Sequence, residues 1–79
     1  MRLDKYLKVS RLIKRRTVAN DACDAGRVKI NDKVAKASVD VKEGDVIEIE
    51  FGNKSVKVRV TAVKDTVKIE EAADMFEYI

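Results

Sequence analysis

An α+β fold, with two short N-terminal helices packed on a small and mostly antiparallel sheet, follows from three features of this 79-residue chain. Apolar residues recur at helical spacing as far as Gly26 and in alternation beyond it. Turn-forming residues punctuate the alternating part at Asn31-Asp32, at Gly44 and at Gly52. No proline, internal repeat or low-complexity stretch marks a linker, so residues 1–79 are expected to form one domain.

Leu3, Tyr6 and Leu7 stand at i, i+3 and i+4, which places one apolar stripe on a helix over roughly residues 2 to 9. Arg2, Lys5 and Lys8 ride at its edges. Thr17 is the expected N-cap of a second helix, with Asp21 adding negative charge near its first turn. Val18, Ala19, Ala22 and Cys23 give that helix an apolar stripe of mostly small residues, and Gly26 suits the left-handed position just past its end. Val28 and Ile30 then alternate with Arg27, Lys29 and Asn31, as a half-buried strand requires. Asn31-Asp32 reads as a tight turn, Val34 to Val41 as one short strand and a loop, and Lys42 to Asp45 as a turn around Gly44. Val46 to Phe51 is a strand, Gly52-Asn53 a hairpin turn, and Val56, Val58 and Val60 mark the partner strand. Glu70 to Ile79 is expected to form a short C-terminal helix.

Charge is divided unevenly along the chain. Residues 1–36 carry eleven lysines and arginines against Asp4, Asp21, Asp24 and Asp32, a surplus of +7, whereas residues 37–79 hold a balance of −4. A basic N-terminal half in a protein with an acidic far end is what a polyanion-facing surface needs. Arg11, Lys14 and Arg15 stand at i, i+3 and i+4 and share one face if the chain continues helically there. Arg16, beside the expected Thr17 cap, would add a guanidinium to the backbone N–H groups of a helix start, a pairing suited to phosphate.

Catalytic chemistry has little to work with. Histidine is absent, which removes the commonest general base and metal ligand. Cys23 lies on an apolar stripe with Asp21 and Asp24 beside it, and reads as a packing residue. A single cysteine excludes an internal disulfide and gives no metal-ligand spacing. Gly26, Gly44 and Gly52 are isolated and form no phosphate loop. No enzyme, cofactor or metal is therefore expected. No apolar run reaches the ~20 residues that span a bilayer, and Arg2, Asp4 and Lys5 interrupt the start, so a cytoplasmic protein without membrane contact is expected.

The string Arg2-Leu3-Asp4-Lys5-Tyr6-Leu7, then Arg11, Lys14-Arg15-Arg16-Thr17, Ala22-Cys23, Gly26 to Asn31, Lys36, Val41 and Gly44-Asp45, resembles the S4 RNA-binding domain. The resemblance covers residues 1 to about 51, leaving 52–79 as the second hairpin strand and an extension; Asp32 stands where that family usually has glycine. It implies two helices and a following loop that dock on structured RNA, with Arg2, Arg11, Lys14, Arg15, Arg16 and Lys36 at the contact. Lys5 and Lys8, on the edges of the first helix, complete the expected RNA-binding set.

With its extension, including Lys64-Asp65-Thr66 and Glu70 to Met75, the chain resembles the stand-alone S4 proteins of bacterial ribosome-associated quality control, relatives of the small heat-shock S4 protein. That resemblance implies binding to ribosomal RNA of large subunits obstructed by peptidyl-tRNA; a monomer is expected. It also implies assistance to an NFACT-type factor that adds alanine tails to stalled chains. Two other readings stay open on the residues. One is an S4 protein of ribosome assembly or translation control, and the other is a protein-interaction module using Met75, Phe76 and Tyr78 in the acidic C-terminal segment.

Overall fold

A computed structural model describes residues 1–64 and 68–79. Asp65 and Thr66, in the extension that carries part of the resemblance, lie outside the described residues. The elements are helices α1 (Leu3–Val9) and α2 (Arg16–Asp24), then strands β1 (Val28–Ile30), β2 (Lys33–Val34), β3 (Val46–Phe51) and β4 (Lys54–Val60). A 3₁₀ helix (Ile69–Met75) and strand β5 (Phe76–Tyr78) complete the order. The strands form one sheet in the order β2-β1-β3-β4-β5, with every pairing antiparallel.

Leu3, Tyr6 and Leu7 are fully buried, as their spacing predicts, and meet Ala19 and Cys23 of α2 and the inward residues Val28, Ile47, Ile49, Val58 and Val60 of the sheet. Val18 departs from its expected stripe and is half exposed. Ala19 and Cys23, one turn apart, are the α2 residues sealed in the core, and Val18 is rotated about 100° from Ala19 around the axis. The helix ends as expected: Gly26 has φ +79°, its N–H donates to the Cys23 carbonyl at 3.0 Å, and the Arg27 N–H donates to the Ala22 carbonyl at 3.0 Å.

Thr17 is not the N-cap. Helix α2 begins two residues earlier than that cap would allow, at Arg16, with Arg15 in the cap position in extended conformation and no side chain capping it. Nor does α1 continue through the basic cluster. Ser10 caps it, and Arg11 follows with φ +66°, so Arg11, Lys14 and Arg15 lie on an irregular connector and share no helical face. Burial of Ile13, whose N–H reaches back to the Leu7 carbonyl at 3.1 Å, draws that connector in toward the core.

The Asn31-Asp32 turn joins β1 to β2 with both residues at positive φ, 51° and 69°, the geometry of a type I′ hairpin. Asn31 does more than turn the chain. Its Oδ1 accepts the Val46 N–H at 3.0 Å and its Nδ2 donates to Asp45 Oδ1 at 3.2 Å, which ties this turn to the start of β3.

The expected C-terminal helix over Glu70 to Ile79 is replaced by the 3₁₀ helix and β5. Phe76 and Tyr78 alternate with Glu77 and pair with Val60 and Val58 on β4, so the last residues cover an edge that would otherwise expose unpaired backbone groups. Met75, fully buried, is the anchor. Its carbonyl accepts the Tyr6 hydroxyl at 2.7 Å and the Thr61 and Ala62 N–H groups at 2.9 and 3.2 Å. Burial pushes the Tyr6 phenol far above its ordinary range, so it remains a donor. The segment read as a docking motif thus spends Met75 on the protein's own core and leaves Tyr78 exposed.

Candidate nucleic-acid interface

The starts of the two helices converge on one carboxylate. Arg2 stands immediately before α1 and Arg16 is the first residue of α2. Between them Asp4, only 3% exposed, accepts hydrogen bonds from Arg2 and forms an ion pair with Arg16. Its Oδ1 lies 3.3 Å from Arg2 Nε and 2.8 Å from the Lys5 backbone nitrogen. Its Oδ2 lies 3.5 Å from Arg16 Nε, 3.5 Å from Arg2 Nη2 and 3.2 Å from Asn20 Nδ2. Burial alone would raise the Asp4 pKa. The bonds from Asn20 and the Lys5 N–H, together with the Arg16 guanidinium, outweigh it and hold the carboxyl below its ordinary value.

Both arginine side chains are about half exposed, 52% for Arg2 and 49% for Arg16. A guanidinium carries five N–H donors, so contact with Asp4 uses a minority of them and leaves donors to spare. Beside Arg16 lies an open hollow of about 300 Å³, lined by Asp4, Arg16, Thr17, Asn20 and Asp21. The uncapped start of α2 adds backbone N–H groups to the same edge.

The other expected RNA-binding residues fall around this pair at varying remove. Lys36 is exposed on the loop after β2, and that loop is bonded to the start of α1: the Leu3 N–H donates to the Val39 carbonyl at 2.8 Å and the Asp4 N–H to the Ala37 carbonyl at 3.2 Å. Arg11, Lys14 and Arg15 are exposed on the connector, and Arg15 adjoins Arg16 directly. Lys8 is exposed in the last turn of α1, at the opposite end from Arg2, and Lys5 is half-buried.

Reading the sequence for basic residues missed Asp4, which holds the arginines, and Asn20, which holds Asp4. A signal was present: Asp4 is three residues before Leu7 and next to Leu3, on the flank of the core-facing stripe, where a carboxylate must find donors. Cys23 behaves as expected. It is buried, and desolvation, with smaller contributions from Asp4 and Asp24, pushes its thiol up to about 11.

Two short helices whose basic starts meet over a buried carboxylate, backed by an antiparallel sheet, define an S4-type RNA-binding fold. The chain belongs to the S4 domain family, whose model matches residues 1–47. Its relatives narrow the placement. It is 58% identical over its whole length to the RQC P-site tRNA stabilizing factor of Streptococcus pneumoniae, spanning 90% of that protein. Over 96% of its length it is 60% identical to the RQC P-site tRNA stabilizing factor of Bacillus subtilis, spanning 88% of it. Among solved structures, trimeric heat shock protein 15 of Vibrio cholerae superposes with a TM-score of 0.92 at 28% identity, covering 100% of this chain and 81% of that one.

Proposed function

We propose that this chain binds structured RNA of the large ribosomal subunit through its helical side and stabilises P-site tRNA during ribosome-associated quality control. In that setting its partners are ribosomal RNA, the peptidyl-tRNA left on an obstructed subunit, and an NFACT-type tailing factor. The observation that carries the reading is the joint placement of Arg2 and Arg16 at Asp4, two half-exposed side chains on one carboxylate, with Arg15 next in the chain to Arg16 and the Lys36 loop bonded to the start of α1. The names of the relatives, at 58–60% identity, support the P-site role.

The domain acts by positioning. Arginine suits phosphate because its planar fork makes paired, charge-assisted bonds. Arg2 and Arg16, with Arg11, Lys14, Arg15 and Lys36 around them and Lys5 and Lys8 along α1, grip backbone phosphates. No side chain of this protein makes or breaks a bond. The acidic C-terminal residues Glu70, Asp74 and Glu77 stand on separate elements, the 3₁₀ helix and β5, and leave the helical side to the basic residues.

Replacing Arg2 and Arg16 together with Ala tests the reading. The Lys5 N–H and Asn20 still donate to the buried Asp4 carboxylate in that variant, so the fold should persist by circular dichroism, with some loss of stability, while co-sedimentation with large subunits is lost. Co-sedimentation at the wild-type level would overturn the assignment.

A further inference from the structure

We propose that Asp4 is a positioning residue for RNA binding: its buried carboxylate aims the Arg2 and Arg16 guanidiniums outward as a pair, so this negative charge strengthens the grip on a polyanion. The inference rests on the RNA-binding reading above and deepens it.

Two features support this role. Arg2, just before α1, and Arg16, at the start of α2, are fourteen residues apart in sequence, and long side chains of this kind each lose rotamer freedom when they bind phosphate. Asp4 removes part of that freedom beforehand, holding Arg2 through two nitrogens and Arg16 through Nε. The carboxylate is itself fixed. It sits on the second residue of α1, 3% exposed, and is bonded to the Lys5 N–H and to Asn20 from α2, so it cannot swing toward the RNA or follow a loose arginine. Asp21 is the contrast. It lines the same hollow but is exposed, and among the described residues no hydrogen bond or ion pair involves its side chain.

The two carboxylates therefore give opposite signs. If only net charge mattered, neutralising either would tighten RNA binding. Positioning predicts that Asp4→Asn weakens it about tenfold, the worth of one charge-assisted hydrogen bond, whereas Asp21→Asn leaves it unchanged or slightly tighter. The salt dependence should change too: each guanidinium that leaves its phosphate makes the slope of log affinity against log salt shallower by about 0.7–0.9.

The experiment measures affinity for purified large subunits at several salt concentrations for the wild type, Asp4→Asn, Asp21→Asn and Asn20→Ala. Side-chain Nε–H signals of Arg2 and Arg16 are followed by NMR in the free proteins. Expected are weaker binding and a shallower slope for Asp4→Asn, a smaller loss in the same direction for Asn20→Ala, and Nε–H signals that lose their protection from exchange with water only in Asp4→Asn. Asn20→Ala keeps the carboxylate, so it reports on positioning even if Asp4→Asn folds poorly. Tighter or unchanged binding by a folded Asp4→Asn would overturn the proposal. If Arg2→Ala with Arg16→Ala binds like the wild type in the same assay, the RNA-binding reading itself fails.

Discussion

Two arginine–carboxylate arrangements in this protein differ in where the carboxylate stands. On the helical side, Arg2 and Arg16 share Asp4, which is sealed from solvent and has backbone and Asn20 partners besides. On the outer face of the sheet, Arg59 Nη1 meets Glu77 Oε1 at 3.0 Å, with both side chains about half exposed. The sheet pair has the shorter contact, yet water competes for each group and salt screens it. At Asp4 the contacts are longer, but leaving that carboxylate without donors would strand a charge beside the core. Distance alone would rank the sheet pair first; burial and the number of fixed partners rank Asp4 first.

Removing each side in turn sharpens the contrast. Asp4→Ala should cost about 1.5–3 kcal/mol of unfolding free energy in chemical denaturation, since it breaks hydrogen bonds to charged groups that order two helix starts. Acid should reach the same contacts. The folded pKa of Asp4 is held below the ordinary 3.8, so its contribution is fully present above that value and is lost as pH falls through the folded pKa. Wild-type stability should therefore fall more steeply across that acidic range than that of Asp4→Ala.

Tyr6→Phe should cost less, about 1 kcal/mol, because the Met75 carbonyl loses a buried donor but keeps the Thr61 and Ala62 N–H groups. The loss should appear as faster amide exchange in β5. Smallest is Glu77→Ala, expected within about 0.5 kcal/mol of wild type and shrinking further as salt is added, as for an exposed pair. A Glu77→Ala cost equal to that of Asp4→Ala would break the contrast between the two sites.

Much of the fold was legible from local signals that tertiary contacts reinforce. The stripe of Leu3, Tyr6 and Leu7, the Gly26 helix end, the Asn31-Asp32 turn and the alternation from Val46 to Val60 each combine a period with a turn residue of the right chemistry. The misreadings share a cause. Arg11, Lys14 and Arg15 have helical spacing, but the core draws Ile13 inward and the backbone passes through positive φ at Arg11. Phe76 and Tyr78 could pack as part of a helix, but the open edge of β4 recruits them as a strand. Thr17 is a good capping residue but stands two positions after the cap, Arg15, of the helix that Arg16 starts beside Asp4. In each case a long-range partner decided between local options of similar energy. The basic residues of the interface were visible as a charge surplus, whereas Asp4 counted only as a subtraction from it.

If the helical side grips folded RNA, ultraviolet crosslinking in cells will show it once both the crosslinked peptide and the crosslinked nucleotide are mapped. Crosslinks at residues 2–17 and at Lys36, to ribosomal RNA of the large subunit and to tRNA, are the predicted result. Crosslinks confined to the outer sheet face around Lys57 and Arg59, or to messenger RNA alone, would contradict it.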